Sequence, residues 1–372
     1  MYLMNTKTLP TLYGHTTAAA IKVWNCRIED HGTESHIIIT HGLENGKQQE
    51  TTRRVKEGKN IGRANATTPW TQAVAEAEAF AAKKIDKGYN PTKGAVAKQQ
   101  QETRLPMLAL KYEDRSHDII WPAFVQPKLN GVRCLMERRG NEIIFHSRGN
   151  KQFSTLTHLK VDALAVLQDG DILDGELYNH GDITFQELVG LIKRESGDPA
   201  RVAKYVKFWN YDRCENAPFM VRASRLIEHG SIKRVPTYRV RDEAEMLTYH
   251  KQFEEDGYEG LMLRSGTEPY KLQYRSTQLL KVKSFQDQEF LIVGTEEGVG
   301  KAEGQATFIC ETANGKRFGC RCKGTDEMRQ EQWINRASYV GKKLTVRYQS
   351  FSDSGIPVFP VGISIRGEDY DC

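Results

Sequence analysis

The apolar residues of this chain occur mainly in short runs with the length and alternation of β-strands. No run approaches the ~20 apolar residues that a membrane-spanning helix needs. The first ten residues, MYLMNTKTLP, lack the apolar core of a signal peptide. At 372 residues the chain is too long for one ordinary hydrophobic core. We therefore expect two or three domains in an intracellular protein, cytoplasmic or nuclear depending on its source, with no membrane partner.

Residues 1–90 predict a small β-rich domain with one helix. The segments AAAIKVWNCRIE and ESHIIITHGL are typical of strands around a polar turn. A helix is predicted to follow, with Thr68 as its N-cap, Pro69 as its first residue and Gly88 at its end. Its apolar residues recur at helical spacing: Trp70, Val74, Ala77, Ala81 and Ile85. The polar segment 91–105 is bounded by prolines and predicts a linker.

The rest of the chain predicts two further domains. Residues 106–284 mix strand patterns, such as EIIFHS and DILDGELY, with the helical patterns TFQELVGLIKRE and DEAEMLTYHKQFEEDG. Strand patterns dominate residues 285–372, where Thr325 precedes one predicted helix. Five strands with Gly-rich turns fit a barrel of OB type. The predicted fold class is therefore α+β.

Positive charge is concentrated near the N-terminus. The net charge is +5, and residues 1–105 carry 15 Lys/Arg against 10 Asp/Glu, while the remainder balances. A basic segment of this kind indicates a polyanion partner. The candidate nucleic-acid contacts are Arg53, Arg54, Lys56, Lys59 and Arg63. A solvated charged loop is the alternative. The seven cysteines show no paired C-x2-C spacing, so no zinc site is predicted.

The segment PKLNGVR places a lysine in a tight turn. Gly131 allows a close backbone turn that presents Lys128 to a pocket, and Arg133 can return to the same pocket. An ordinary lysine has a pKa of ~10.4, so deprotonating it near neutral pH costs roughly 4 kcal/mol. Burial and neighbouring cations lower that cost, and Lys281 and Lys283 on one strand face are candidates. Taken alone, the pattern also fits a solvated turn lysine.

Further chemistry-bearing segments follow in chain order. FHSRGN places Arg148 at a strand end, and LDGELY places Glu176 on a strand. VKFWNYD supplies aromatic side chains that can stack on a base, and DGYEGLMLR places Glu259 on a strand after a turn. A nucleophilic lysine, cations, carboxylates and a stacking aromatic are the groups that nucleotidyl transfer requires.

This ordered set resembles the motifs of the covalent nucleotidyltransferase superfamily, which comprises polynucleotide ligases and mRNA capping enzymes. PKLNGVR resembles motif I, LDGELY motif III, VKFWNYD motif IIIa, YEGLMLR motif IV and LLKVKSF motif V. LPMLALKYED is similar to a lead-in found in viral and phage DNA ligases. The C-terminal stretch resembles their OB domain. The resemblance covers roughly residues 105–372.

The resemblance implies an ATP-dependent DNA ligase of the viral and phage type. Such an enzyme seals 5′-phosphate/3′-hydroxyl nicks in duplex DNA, uses ATP and Mg²⁺, and serves replication, repair or recombination, here as a monomer. Lys128 would carry AMP, and Glu259 would help to hold Mg²⁺. The other implied nucleotide contacts are Gln126 at the adenine edge, Arg133 and Glu176 at the ribose, Arg148 at the nucleotide or 5′-phosphate, Tyr211 (Phe208 as second choice) stacked on adenine, and Lys281 with Lys283 at the α-phosphate.

Some segments depart from the family pattern. Asn130 stands where Asp is commoner, and IRGEDYD matches the final R-x-D-K motif only loosely, which leaves Arg366 without an assigned role. Residues 1–90 are similar in layout to WGR domains, although residues 41–43 are His-Gly-Leu. A DNA-contacting module and a structural appendage both remain open. The alternatives for the whole chain are an RNA ligase, a GTP-using capping enzyme and a catalytically inactive nick-binding protein. A virus-encoded origin is also open.

Overall fold

The computed structural model describes residues 4–16, 20–96 and 103–366. Part of the predicted linker 91–105 and the final GEDYDC therefore lie outside the described residues. The chain packs into two compact units. The first contains the ranges up to Thr11, Lys22–Ala81 and from Ser284 onward, and the second contains Leu12–Ile21 and Ala82–Lys283. Within the described ranges, no helix is long and apolar enough to cross a membrane.

The N-terminal part is β-rich with one long helix, as predicted. Its elements are β1 (Asn5–Thr8), β2 (Leu12–His15), β3 (Ile21–Asp30), β4 (Ser35–Leu43), β5 (Gln48–Val55) and α1 (Pro69–Ile85). Strands β1, β3, β4 and β5 form an antiparallel sheet in that order. Thr68 Oγ1 accepts a hydrogen bond from Thr71 N at 3.2 Å, which confirms the predicted N-cap.

Two features of the N-terminal part differ from the prediction. Strands β1, β2 and β5 were not predicted. The β5 sequence, QQETTRRV, contains a single apolar residue, Val55, and β5 is held in place by its pairing with β4. The buried residues of α1 are Gln72, Ala73 and Ala77. Ile85, the last residue of the predicted apolar repeat, is 41% exposed. The apolar stripe therefore ends before the helix does.

The C-terminal part of the first unit is a closed five-stranded barrel, as the sequence predicted. Its elements are β16 (Gln286–Glu297), β17 (Ala306–Glu311), β18 (Arg317–Cys322), α8 (Asp326–Ile334), β19 (Lys343–Tyr348) and β20 (Val361–Ile365). The strands close in the order β16-β17-β18-β20-β19. Cys320 and Cys322 are buried on one face of β18 and Arg321 between them is exposed. Thr325 Oγ1 accepts from Met328 N and caps α8.

The second unit contains two five-stranded sheets that carry the motif residues. Its later elements are β6 (Leu108–Lys111), α2 (Tyr112–Arg115), β7 (Ala123–Pro127), β8 (Val132–Arg139), β9 (Glu142–Ser147), α3 (Thr157–Val166), β10 (Ile172–Tyr178), α4 (Phe185–Lys193), α5 (Pro199–Tyr205), β11 (Lys207–Arg213), α6 (Phe219–Ser224), β12 (Ile232–Arg234), β13 (Tyr238–Val240), α7 (Glu243–Glu255), β14 (Leu261–Ser265) and β15 (Arg275–Val282). The first sheet has the order β13-β7-β14-β15-β6, and the second has the order β12-β11-β10-β8-β9. Mixed sheets and helices confirm the α+β class.

Local sequence explains the helices that were predicted in this unit. Helix α4 begins at a capping box in which Thr184 accepts from Glu187 N and Glu187 accepts from Thr184 N. Helix α7 begins after Asp242, whose carboxylate accepts from Glu245 N. Helix α3 was not predicted. Leu156, which occupies its N-cap position, makes no capping hydrogen bond through its side chain.

Candidate active site

Lys128 lies at the end of β7, where its backbone is joined to the turn before β14. Lys128 N donates to Gly260 O at 2.9 Å, and Glu259 N donates to Lys128 O at 2.9 Å. Gly260 has a φ of +138°, and a Cβ there would collide with the Val282 carbonyl oxygen. Glu259 lies in the turn that precedes β14, although the sequence analysis had predicted it on the strand. This joint holds the Lys128 and Glu259 side chains together.

The Glu259 carboxylate lies between two ammonium groups. Lys128 Nζ donates to one of its oxygens and Lys283 Nζ to the other. The Lys128 side chain is 21% exposed and that of Glu259 is 11% exposed. Burial tends to raise the pKa of Glu259, but the charges and hydrogen bonds of Lys128 and Lys283 outweigh it, and the pKa lies below its ordinary value. Glu259 is therefore a carboxylate at neutral pH.

Lys281 and Lys283 add positive charge to the same face. Met262 pairs with Gln126 on one side and with Lys281 on the other, so these residues share a face of the sheet. Lys283 lies one residue beyond the end of β15, although the sequence analysis had predicted it on the strand. Burial lowers the pKa of Lys281, and Lys283, Lys128 and Arg148 lower it further. This cluster of lysines, with Arg148, can therefore bind an anionic group.

The second sheet contributes Arg133, Glu176 and Tyr211. Arg133 pairs with Glu176 in the β8–β10 register, and its guanidinium forms a bidentate ion pair with Asp174. The Tyr211 hydroxyl donates to Glu176 Oε2 at 3.4 Å. The Arg133 Cζ atom lies 5.5 Å from the Tyr211 ring centroid. A Cβ at Gly131 would collide with the Leu177 carbonyl oxygen, so the tight turn that the sequence predicted requires glycine here.

Glu176 has an unusual protonation equilibrium. Burial raises its pKa from 4.5 to about 7, Lys128 and Arg133 pull it down, and the charges of Asp174 and Glu259 push it up. The group is therefore close to half-protonated at neutral pH. A carboxyl that titrates in this range beside a reactive lysine is characteristic of functional sites.

Gln126 is buried in the site, and its side-chain amide makes three hydrogen bonds. It is 1% exposed. Its Nε2 donates to Tyr211 O at 3.1 Å and to Thr237 Oγ1 at 2.8 Å, and its Oε1 accepts from Arg264 Nε at 3.0 Å. Arg264 in turn donates to Asp212 Oδ2 at 2.6 Å.

Three charged residues of this site were missed from the sequence: Asp174, Asp212 and Arg264. Both aspartates are fully buried, and each stands within an apolar strand pattern, in LDGELY and FWNYD. A charge at a core position requires a buried partner, and that signal could have identified them. Of the other predicted residues, Arg148 is exposed one residue beyond β9. Phe208 is fully buried in the core that its sheet forms with α3, α4 and α5, so it has no free face to stack on a base.

The predicted nucleic-acid contacts lie on and after β5, and four of the five are close to carboxylates. Arg53 and Lys59 donate to Glu76, at 2.7 Å and 3.2 Å. Lys56 lies 2.8 Å from Glu303 of the barrel domain, and Arg54 lies 3.9 Å from it. The fifth, Arg63, is exposed. A cavity of about 320 Å³ lies between β5 and the segment around Gly300.

Two protein-family models match the chain in the order that the motifs predicted. The model described as an ATP dependent DNA ligase domain matches residues 106–283. The model described as a DNA ligase OB-like domain matches residues 297–366. Neither model reaches the N-terminal residues, so the likeness of residues 1–90 to WGR domains stays a prediction.

Named relatives extend this likeness over most of the chain. The DNA ligase of a Kenyan pig isolate of African swine fever virus is 30% identical over 349 residues, which cover 85% of this chain and 80% of the relative. That of a Namibian warthog isolate is 31% identical over 346 residues, which cover 84% and 79%. A solved structure of a Lig E DNA ligase covers 70% of this chain and 99% of its own at a TM-score of 0.60 and 23% identity, which supports the fold. The chain therefore belongs to the ATP-dependent DNA ligases.

Proposed function

We propose that this protein seals nicks in duplex DNA through a covalent lysyl-AMP on Lys128. The observation that carries the proposal is the position of Lys128 in a partly buried cluster with Glu259 and Lys283, inside the matched ligase domain. Its Nζ lone pair attacks the α-phosphorus of ATP. The Lys128 ammonium loses one proton to free this lone pair. A P–N bond forms, the bond to the leaving pyrophosphate breaks, and the nitrogen loses a second proton. A 5′-phosphate oxygen of the nick then attacks the same phosphorus, and the P–N bond breaks and returns the lysine. The 3′-hydroxyl finally attacks the 5′-phosphate, loses its proton and releases AMP.

The cations of the first sheet suit the charge that develops in this step. Negative charge on the phosphoryl oxygens and on the leaving pyrophosphate is stabilised by preorganised cations. Lys281 and Lys283 lie on the same face as Lys128, and Arg148 belongs to the same group of interacting cations. We assign Lys281 and Lys283 to the α-phosphate and Arg148 to the nucleotide or the 5′-phosphate of the nick.

The nucleoside would lie towards the second sheet. Tyr211 offers an aromatic ring to the adenine, and Arg133 and Glu176 offer a donor and an acceptor to the ribose hydroxyls. Gln126, which bonds the carbonyl of Tyr211, would contact the adenine edge.

Glu259 is the residue that would hold Mg²⁺. Its lowered pKa keeps it ionised, and Mg²⁺ is commonly bound by one or two carboxylates together with substrate phosphates. Among the residues that the structure describes, no group of three His, Cys, Asp or Glu side chains could hold a metal by itself. The phosphates of ATP would therefore supply other ligands. The bound ion would neutralise charge on the phosphates.

We further propose that the basic segment Arg53–Arg63 contacts the phosphates of nicked duplex DNA. Phosphate contacts give an affinity that falls steeply with salt. The full set is Arg53, Arg54, Lys56, Lys59 and Arg63. The African swine fever virus relatives support a virus-encoded origin, and we propose that the protein acts as a monomer.

A nick-sealing assay tests the proposal. The substrate is a duplex with a labelled 5′-phosphate at a single nick, offered with ATP and Mg²⁺ to the native protein, to Lys128→Arg, and to Lys160→Arg as a control for an exposed lysine. The native protein and the control should seal the nick, and Lys128→Arg should not. Sealing by Lys128→Arg would contradict the proposal. Preferential sealing of a nicked RNA strand would favour the RNA ligase alternative, and no sealing by the native protein would favour the inactive nick-binding alternative.

A further inference from the structure

We propose that Arg264 is a positioning residue that sets the preference for adenine by fixing the orientation of the Gln126 amide. This inference rests on the proposed function, because it takes Gln126 as the contact to the base. Arg264 is the last residue of the segment YEGLMLR, and the sequence analysis assigned it no role. Its role follows from the directions of a small set of buried hydrogen bonds.

The strand register places Gln126 and Arg264 on the face that carries Lys128. Gln126 pairs directly with Met262 on β14, and Arg264 is two residues further along that strand. Side chains two residues apart on a strand share a face, so Gln126, Lys128 and Arg264 project from the same side of the sheet. The base contact and the nucleophile therefore lie in one site.

Gln126 has only one hydrogen-bonding position left. A primary amide has two donor hydrogens and an oxygen with two acceptor positions. Both Nε2 hydrogens are engaged, one by Tyr211 O and one by Thr237 Oγ1. The Thr237 hydroxyl donates to Val235 O, so towards Gln126 it acts as an acceptor. Oε1 accepts once, from Arg264 Nε. Gln126 can therefore accept one more hydrogen bond and can donate none.

Arg264 enforces this orientation because it cannot move away. It is 3% exposed, its Nη1 donates to Asp212 Oδ2 at 2.6 Å, and its Cζ lies 4.6 Å from the Phe219 ring centroid. Arg222 donates to both oxygens of the same Asp212, at 2.7 Å and 3.2 Å, and holds it in place. A flipped amide would point its NH₂ group at the Arg264 N–H, donor against donor.

An acceptor at this place distinguishes the purine bases. Adenine carries a 6-amino group, which donates a hydrogen bond. Guanine and hypoxanthine carry a 6-oxo group, which only accepts. A buried site that is built for one hydrogen-bond pattern rejects the other strongly. Selection of ATP over GTP and ITP is the consequence of the fixed Gln126 amide.

The test compares lysyl-nucleotide formation from ATP, ITP and GTP in the full-length protein. The native protein should prefer ATP over ITP by roughly a hundredfold or more. In Arg264→Leu the Gln126 amide loses one of its constraints, and the preference should fall by about tenfold. Arg222→Leu is the matched control, because it removes the other arginine from Asp212 without touching Gln126. It should lose comparable thermal stability and, because Arg264 still donates to Gln126, keep most of the native preference.

A second variant keeps the test decisive if Arg264→Leu does not fold. Thr237→Val removes the acceptor of one Nε2 hydrogen and leaves Asp212 and its arginines intact, so the freed donor should raise the use of ITP by about tenfold relative to ATP. A native ATP-to-ITP ratio in Arg264→Leu or in Thr237→Val would overturn the inference. An equal loss of preference in Arg222→Leu would overturn it as well. Failure of the native protein to form lysyl-AMP from ATP would instead overturn the proposed function.

Discussion

Replacing Glu176 with glutamine should remove the contribution of this one carboxyl to the pH dependence of stability between acid and neutral pH. Burial raises the pKa of Glu176 from 4.5 to about 7. Below the lower value, the folded and unfolded states both hold the proton. As the pH rises to 7, the unfolded chain releases this proton while the folded protein retains it, so this group lowers the stability. Glutamine has the same shape and no such titration.

The size of the effect follows from the two pKa values. One pKa unit corresponds to ~1.4 kcal/mol, so a rise from 4.5 to about 7 corresponds to about 3 kcal/mol. The stability of Glu176→Gln relative to the native protein should therefore increase by about 3 kcal/mol between about pH 4 and pH 8. The increase should be nearly complete by about pH 8, where the native group is mostly ionised.

Urea unfolding at a series of pH values provides the measurement. Trp209 on β11 pairs with Glu176 on β10, so its fluorescence reports the unfolding of the sheet around Glu176. Glu142→Gln, an exposed glutamate at the start of β9, is the control, and its stability difference from the native protein should not change with pH. A pH-independent difference for Glu176→Gln would refute the claim that burial dominates the Glu176 carboxyl.

Two further predictions concern ion pairs outside the Lys128 cluster. Asp174→Asn leaves the partly buried Arg133 without its fully buried carboxylate partner and should cost about 3 kcal/mol of unfolding free energy. The control Asp182→Asn changes an exposed aspartate and should change the urea midpoint little. Equal midpoints for the two variants would contradict this prediction. Lys56→Gln should weaken binding to nicked duplex DNA and reduce the slope of log affinity against log salt by about one. Glu303→Gln should tighten binding, because the Glu303 carboxylate lies 2.8 Å from Lys56, where a phosphate would bind. Binding titrations at several salt concentrations that show no change in either variant would contradict this prediction.

Much of the active site could be predicted because its residues fall within short segments. Lys128, Glu176, Tyr211 and Glu259 each stand in a motif whose order along the chain is itself informative. The structure brings Lys128 to Glu259 and Tyr211 to Glu176, although these residues are far apart in sequence. Helix starts were also predictable where a side chain caps the backbone, as Thr325 does.

The remainder depended on partners that the sequence does not indicate. Asp174 and Arg264 have roles only because the fold buries each beside a particular opposite charge. Strand β5 has almost no apolar pattern and exists through its pairing with β4. Lys56 and Glu303 are close in space but far apart in the chain. Neither sequence segment indicates that the other is its partner. Local patterns are visible in a sequence, but the pairing of distant polar groups is a property of the folded chain.

The central claim is that Lys128 forms the covalent bond to AMP, and peptide mass spectrometry tests it most directly. The native protein is incubated with ATP and Mg²⁺ in the absence of nucleic acid, digested under conditions that preserve a phosphoramidate, and searched for the added mass of AMP. The account predicts a single modified peptide containing PKLNGVR, with fragment ions that place AMP on Lys128, and no adduct in Lys128→Arg. AMP on another residue, or an undiminished adduct in Lys128→Arg, would contradict it.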